Sequence, residues 1–204
     1  MFKTAKRIQA GGSELQDSAD IFWCGSNLVL VVAYGAGGIS GCAKAAQFVV
    51  SSFKKRLASI VCNLESLNKL LTSIDREMAA SGAYGETTCV VVVLSATGII
   101  GTSVGDSGAL IFSNSGITNQ TANQARRPFV GSGQSTPVGF SDGPLNGTLL
   151  VASDGLLKYT SREKIAAAIN ADNLDSVTED LFALVKYPSG AFPDDVSVLL
   201  ARNR

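Results

Sequence analysis

The chain of 204 residues contains no histidine, and that absence narrows its chemistry before any motif is considered. Histidine is the side chain whose ordinary pKa lies nearest neutrality, so the usual general base is missing, and with it every Ser-His-Asp or Cys-His arrangement. Zinc binding loses a principal ligand for the same reason. The four cysteines, Cys24, Cys42, Cys62 and Cys89, are widely spaced with no C-x-x-C pair; each sits in apolar sequence, the setting of a buried thiol. Charge is sparse, at 17%, and balanced, with 17 basic against 17 acidic residues. A neutral chain has no general attraction for nucleic acid or anionic lipid, so neither is expected as a partner. Long apolar runs are missing too: 28–33 and Cys89–Leu94 fall far short of the roughly 20 residues a membrane-spanning helix needs. The N-terminal residues are basic with no apolar stretch behind them, so no signal peptide is expected and the location expected is cytoplasmic. Whatever chemistry the chain performs must run on carboxylates, metal ions, lysine or tyrosine.

What is present is apolar: hydrophobic residues make up 46% of the sequence, enough for one globular domain over 1–204. Strands are expected at 4–9, 20–24 and 28–33, the last two joined by a tight turn at Ser26-Asn27 after Gly25. The glycine-rich Gly35-Ala36-Gly37-Gly38 follows, and a helix should begin near Ser40. Its apolar face would use Ala43, Ala46, Phe48, Val49 and Phe53, with Lys54, Lys55 and Arg56 where cations suit the helix dipole. A second helix is read over 60–78 from Val61, Leu64, Leu67, Leu70, Leu71 and Ile74. Strands follow at 87–95, 99–104 and 109–113; the continuous apolar run in the first implies cover on both faces. Residues 114–146 are polar and rich in Gly, Ser and Pro, a long irregular connection. A strand at 148–152, a helix through 169 capped by Ser161, a helix at 175–186 and a strand at 195–201 complete an α+β layered domain with antiparallel strands and about four helices.

Aspartates recur at the ends of these strands: Asp17, Gly105-Asp106-Ser107, Ser153-Asp154-Gly155 and Pro193-Asp194-Asp195. A carboxylate at the end of a buried strand loses hydration and meets repulsion from its neighbours. A hard divalent cation with oxygen ligands compensates several such groups at once. Aspartate beside glycine is also ordinary turn chemistry, so the residues alone leave both readings open.

In order and spacing these segments resemble the metal-dependent protein phosphatases, the type 2C serine/threonine phosphatase family. Gln16-Asp17 sits where that family has its first acidic pair. The segment from Val31 through Tyr34 and Gly35 to Gly38 is similar to Val-x-Asp-Gly-x-Gly-Gly. Gly85-Glu86-Thr87-Thr88, Val104-Gly105-Asp106-Ser107, the run Leu149 to Leu156 and Asp194-Asp195-Val196-Ser197-Val198 match further elements, the last resembling Asp-Asn-x-Ser/Thr. The resemblance implies two packed antiparallel β-sheets flanked by helices, an α-β-β-α sandwich. It implies Mg²⁺ or Mn²⁺ as cofactor and a metal-activated water attacking phosphoserine or phosphothreonine. It assigns Asp17 and the Gly35 carbonyl to one ion, Asp154 and Asp194 to the other, and Asp106 with Asp154 to an accessory third.

Two positions depart from the family pattern. Tyr34 stands in place of the bridging aspartate, and a neutral phenol cannot hold two dications close together. Gly12 stands in place of the arginine that grips substrate phosphate, so a bidentate donor is lost as well. The connection at about 114–146 is short for the family's flap, with Pro128 to Gly133 in its place, and Arg126-Arg127 lies within it. The resulting expectation is a phosphatase fold with a degenerate metal site, weak or inactive, acting as a binding or regulatory module for a phosphoprotein or regulatory protein. The alternatives are an active divergent Mg/Mn-dependent phosphatase, and an interaction domain whose aspartates are turn residues.

Overall fold

The apolar runs divide strictly between two faces, and this division builds the layers. The structure is a computed structural model that describes residues 1–36 and 41–203. Strands β1 (Phe2–Gln9), β2 (Ser18–Cys24) and β3 (Asn27–Ala33) come first, then the two-residue β4 (Gly35–Ala36) and helix α1 (Cys42–Arg56). A short 3₁₀ turn leads to α2 (Leu64–Ser81), followed by β5 (Glu86–Thr87), β6 (Cys89–Leu94), β7 (Ile99–Val104), β8 (Gly108–Ser113), β9 (Gly116–Asn119) and β10 (Val138–Asp142). The chain ends with β11 (Thr148–Ala152), helices α3 (Asp154–Leu157), α4 (Arg162–Ala168) and α5 (Leu174–Ala183), and β12 (Val196–Asn203).

Two five-stranded sheets form, in the orders β1-β12-β11-β8-β9 and β10-β7-β6-β3-β2, and β4 pairs with β5 apart from them. All pairings are antiparallel. Because side chains alternate along a strand, Val29, Val31, Val91 and Val93 face α1 and α2. Their neighbours Leu28, Leu30, Val90, Val92 and Leu94 meet Leu149, Val151 and Leu199 of the other sheet. Leu150, Val198 and Leu200 turn outward onto Leu174, Val177, Leu181 and Phe182 of α5. The four-layer sandwich implied by the resemblance is the observed one, and each fully buried Leu or Phe in it stabilises by about 2 kcal/mol.

Register gathers the functional candidates at one end. Ser18 pairs with Ala33, Val32 with Val90, and Cys89 with Val104; Ala152 pairs with both Val198 and Gly108. The start of β2, the ends of β3, β7 and β11, and the start of β12 therefore share one rim. Asp17, Tyr34, Asp106, Asp154 and Asp194 occupy those strand ends.

Several expectations change. The β2–β3 turn is Gly25-Ser26, one residue earlier than read, because Cys24 pairs with Asn27 and Gly25 takes φ 60°. The predicted start of α1 at Ser40 and the pair Gly37-Gly38 lie outside the described residues. Ala46, Val49 and Phe53 are buried in α1 as expected, whereas Ala43 and Phe48 are half-buried. Helix α2 begins at Leu64, not Ile60: the Asn63 side chain accepts from the Ser66 amide at 2.9 Å, which fixes the first turn, and Val61 is left exposed. The strand read at 87–95 is interrupted at Thr88, whose hydroxyl and amide both bond Tyr34 backbone. A fifth helix, α3, was not foreseen. Of the cysteines, Cys42 and Cys89 are buried and Cys24 and Cys62 half-buried, and none forms a disulfide.

The connection at 114–146 is more ordered than its composition implied. It carries β9 and β10, and Val130 exchanges both backbone hydrogen bonds with Thr87. Asp75, buried in α2, accepts from the amides of Gly131 (2.7 Å), Gly133 (2.9 Å) and Ser135 (3.0 Å). Gly131 and Gly133 have φ of 108° and 75°, so the loop curls its amides around the carboxylate. Asp75→Ala should orphan three amides, lower unfolding free energy by about 3 kcal/mol, and speed hydrogen exchange at 129–135 before the core strands. An unchanged denaturant midpoint would show the clamp to be unimportant.

Candidate functional site at the shared strand rim

Each candidate is held by backbone packing that leaves its side chain little choice. Asp17 precedes β2 and is only 4% exposed. Among the described residues neither of its oxygens finds a hydrogen-bond partner. Burial pushes its pKa up to about 7; the nearby hydroxyls of Ser197 and Ser153 oppose this without completing bonds, and Asp195 and Asp154 add to it. Tyr34 follows β3. Its carbonyl accepts from the Thr88 amide (2.9 Å) and the Thr87 hydroxyl (2.8 Å), and its amide donates to the Thr88 hydroxyl at 3.1 Å. The half-buried phenol lies within electrostatic reach of Asp154, Asp194, Asp17 and Asp106. Burial first, then those four charges, push its pKa above the ordinary tyrosine value.

Asp154 opens α3, and its carboxyl is pushed up to about 6, chiefly by burial and then by Asp106 and Asp194, with Lys158 opposing them. Glycine at 155 is required here, because a Cβ would collide with the Asp195 carbonyl oxygen. Asp106 follows β7 beyond Gly105, which takes φ 111° with the Thr88 side chain against it. One oxygen each of Asp106 and Asp154 is buried without a hydrogen-bond partner among the described residues. Gly35 pairs with Thr87 in the small β4–β5 ladder, and its amide donates to the Gln16 carbonyl at 3.3 Å.

The carboxylates open onto two clefts. Asp106 and Asp154 line one of about 360 Å³ with Leu110, Gln124, Arg126, Lys158 and Arg162. Asp194 and Tyr34 line the other, of about 400 Å³, with Gly12, Glu14 and Gln16. The aspartates are thus close enough to perturb one another and Tyr34. Among the described residues, however, no three His, Cys, Asp or Glu side chains form a group that could hold a metal ion. The orphaned oxygens of Asp17, Asp106 and Asp154 fit a cation one or two at a time.

Sequence reasoning missed what Asp195 does. One of its oxygens accepts from the Gly11 amide at 2.7 Å; the other accepts from Gln16 at 2.5 Å and Asp17 at 3.2 Å. Where the resembling pattern has Asn, the carboxylate offers two acceptor oxygens to these three donors. The doubled Asp194-Asp195 was visible, but nothing local reveals a partner almost the whole chain away.

By sequence the chain matches no protein-family model and no curated relative. Its structure is similar to solved bacterial phosphatases over nearly its whole length. A variant of a bacterial serine phosphatase superposes with a TM-score of 0.87 at 22% identity, covering 100% of this chain and 99% of that one. Serine/threonine phosphatase Stp1 from Staphylococcus aureus gives 0.85 at 19% identity, covering 100% and 96%. The Mycobacterium tuberculosis serine/threonine phosphatase PstP/Ppp gives 0.81 at 19%, covering 98% and 97%. The chain therefore has the fold of the type 2C-like serine/threonine phosphatases.

Asp17 yields a pH test with a definite sign. Its folded pKa, raised to about 7 from 3.8, means that the folded state binds the extra proton. Stability is therefore lost as pH rises from about 4 through 7. Asp17→Asn removes that loss, so the variant should match wild type near pH 4 and exceed it by up to about 4 kcal/mol at pH 8. Parallel urea titrations at the two pH values measure the difference; a constant offset would contradict the assignment.

Proposed function

We propose that this chain is a single phosphatase-fold domain, with a shortened flap region at about 114–146, whose metal site is degenerate. In this reading it is weak or inactive as a phosphatase and acts as a cytoplasmic binding or regulatory module for a phosphoprotein or regulatory protein. The observation that carries the reading is Tyr34, a phenol amid four aspartates at the position where the resembling family has a bridging carboxylate. A carboxylate offers two anionic oxygens to two cations; a phenol offers one, and holds its proton. Gly12 supports the same reading, since it opens onto the Tyr34 cleft with no side chain to grip phosphate.

A bound Mg²⁺ or Mn²⁺ would lower the pKa of a coordinated water and offset phosphoryl charge. Asp106 and Asp154, with their unpartnered oxygens, are the residues suited to hold one hydrated ion, since such ions need only one or two carboxylates. Asp17, Asp194 and the Gly35 carbonyl remain candidate ligands by resemblance. The paired-ion arrangement does not fit the donors present, because Tyr34 offers one protonated oxygen where two anionic ones are needed. The neutral net charge supports a protein partner over nucleic acid, and among the described residues no helix is long and apolar enough to cross a membrane.

A second reading, an active divergent Mg/Mn-dependent phosphatase, is favoured by the same orphaned oxygens on Asp17, Asp106 and Asp154. Hydrolysis of p-nitrophenyl phosphate with millimolar Mn²⁺ separates the two. Wild type should show no rate above the metal-free blank. The double variant Tyr34→Asp, Gly12→Arg should gain at least about tenfold, the scale of one charge-assisted hydrogen bond. A Cβ at Gly12 meets nothing within 4 Å, so the arginine has room. A Mn²⁺-dependent wild-type rate that disappears in Asp154→Ala would establish the second reading instead.

A further inference from the structure

The four cysteines have no part in the reading above, and they do not share one environment. Cys42 and Cys89 are buried, at 2% and 0% exposure, and burial pushes the Cys89 thiol far above its ordinary range. Cys24 and Cys62 are half-buried. The fold sets these two against the same end of the same sheet.

Register shows how they meet. Side chains alternate along β2, so Asp20, Phe22 and Cys24 face the α1–α2 layer. Asp20 accepts from Lys54 of α1 at 2.7 Å, Lys54 lies 5.9 Å from the Phe22 ring centroid, and Phe22 and Cys24 pack on the core beneath the helices. Cys24 ends β2 directly opposite Asn27, and residues paired in this way share a face. The chain leaves α1 from beside that face, passes the 3₁₀ turn Leu57–Ser59, and returns Ile60 and Cys62 to the same core. There Cys62 meets the hairpin end. Burial first, then the neighbouring Cys24 sulfur, push its thiol up, and the Asn27 side chain opposes them.

Cys62 also has room to adjust. Ile60 before it is extended, at φ −123° and ψ 156°, and α2 begins only after the Asn63 cap, so no helix or strand holds the intervening backbone. Val61 is 74% exposed, and the Gly25-Ser26 turn beside Cys24 is exposed as well; a small oxidant reaches both thiols from solvent. A disulfide requires Cα atoms about 4.4–6.8 Å apart and a defined torsion. One partner at a strand end and the other on an irregular segment meet that demand more easily than two cysteines fixed within strands.

We propose that Cys24 and Cys62 form a reversible disulfide under oxidation by peroxide, a redox-controlled link between the β2–β3 hairpin and the entry to α2. One thiolate attacks hydrogen peroxide and becomes a sulfenic acid as hydroxide leaves. The second thiolate attacks that sulfur, forming the S–S bond and releasing a second hydroxide. The two thiol protons convert both hydroxides to water, so each sulfur is oxidised by one electron and the peroxide is reduced to water. A thiol reductant reverses the link by exchange. The link closes a loop that contains β3 and α1, and it pins the start of the helix whose Asp75 holds the 131–135 loop. It is independent of whether the rim binds metal or phosphate.

Peroxide treatment of the full chain, then alkylation in denaturant and mass spectrometry, tests the pairing. The protein should become lighter by two hydrogen atoms, retain Cys42 and Cys89 as alkylatable thiols, and yield one linked peptide pair containing Cys24 and Cys62. Dithiothreitol should reverse all three changes. Cys24→Ser and Cys62→Ser should each abolish the link; because the wild-type map needs no variant, a variant that fails to fold leaves the test intact. The melting temperature of the oxidised protein should exceed that of the reduced protein by at least about 5 °C, since the cross-link restricts the unfolded chain. Four thiols still alkylated, oxygen added to Cys24 or Cys62 without a link, or a link between chains or to Cys42 or Cys89 would overturn the pairing. A linked protein that melts lower than the reduced one would overturn the claim that the native fold accommodates it.

Discussion

Asp195 ties the two ends of the chain to the rim on which everything functional sits. Its carboxylate takes three amides from the segment between Gly11 and Asp17, which has no strand ladder of its own to satisfy them. Ser153 reinforces the joint: its amide donates to the Ser197 carbonyl at 3.1 Å and its hydroxyl accepts from the Ser197 amide at 2.9 Å. A buried donor left unpaired costs about 1–3 kcal/mol, so this joint sets where Gly12, Asp17 and Asp154 stand. Asp195 thereby fixes the segment that carries Asp17, while Asp106 is placed independently by Gly105 packed on Thr88.

On that frame, like charges are brought together without full compensation. Asp17 and Asp154 have raised pKa values chiefly through burial, with neighbouring carboxylates adding to it. Four charges push the Tyr34 phenol the same way. Such an arrangement opposes folding at neutral pH and persists only when the surrounding packing holds it. The orphaned oxygens of Asp17, Asp106 and Asp154 support the reading of a site able to take up a cation. The phenol among them is the reason recognition, and not turnover, is the role proposed.

Most of the architecture was legible because burial writes itself into period and run length. The uninterrupted Cys89–Leu94 could only be a strand covered twice, and it lies between α1–α2 and the opposing sheet. The aspartates read at strand ends lie along one rim, and the fold inferred from their order is the one found. The failures have physical causes. Strands β9 and β10 have exposed and half-buried residues and no alternation to betray them. The ordering of 129–135 comes from Asp75, a helix residue that reads as surface until its three amides are seen. Val61 passed for a helix-face residue because spacing carries no information about the Asn63 cap.

With Tyr34 in the place of a bridging ligand, the proposal requires that the surrounding aspartates do not assemble a pair of ions. Crystals soaked in MnCl₂ and measured at the manganese absorption edge address it without reference to activity. At most one anomalous peak is expected at the rim, beside Asp106 and Asp154, with Tyr34 in place. Two neighbouring manganese peaks, with the phenol displaced or ligating between them, would contradict it.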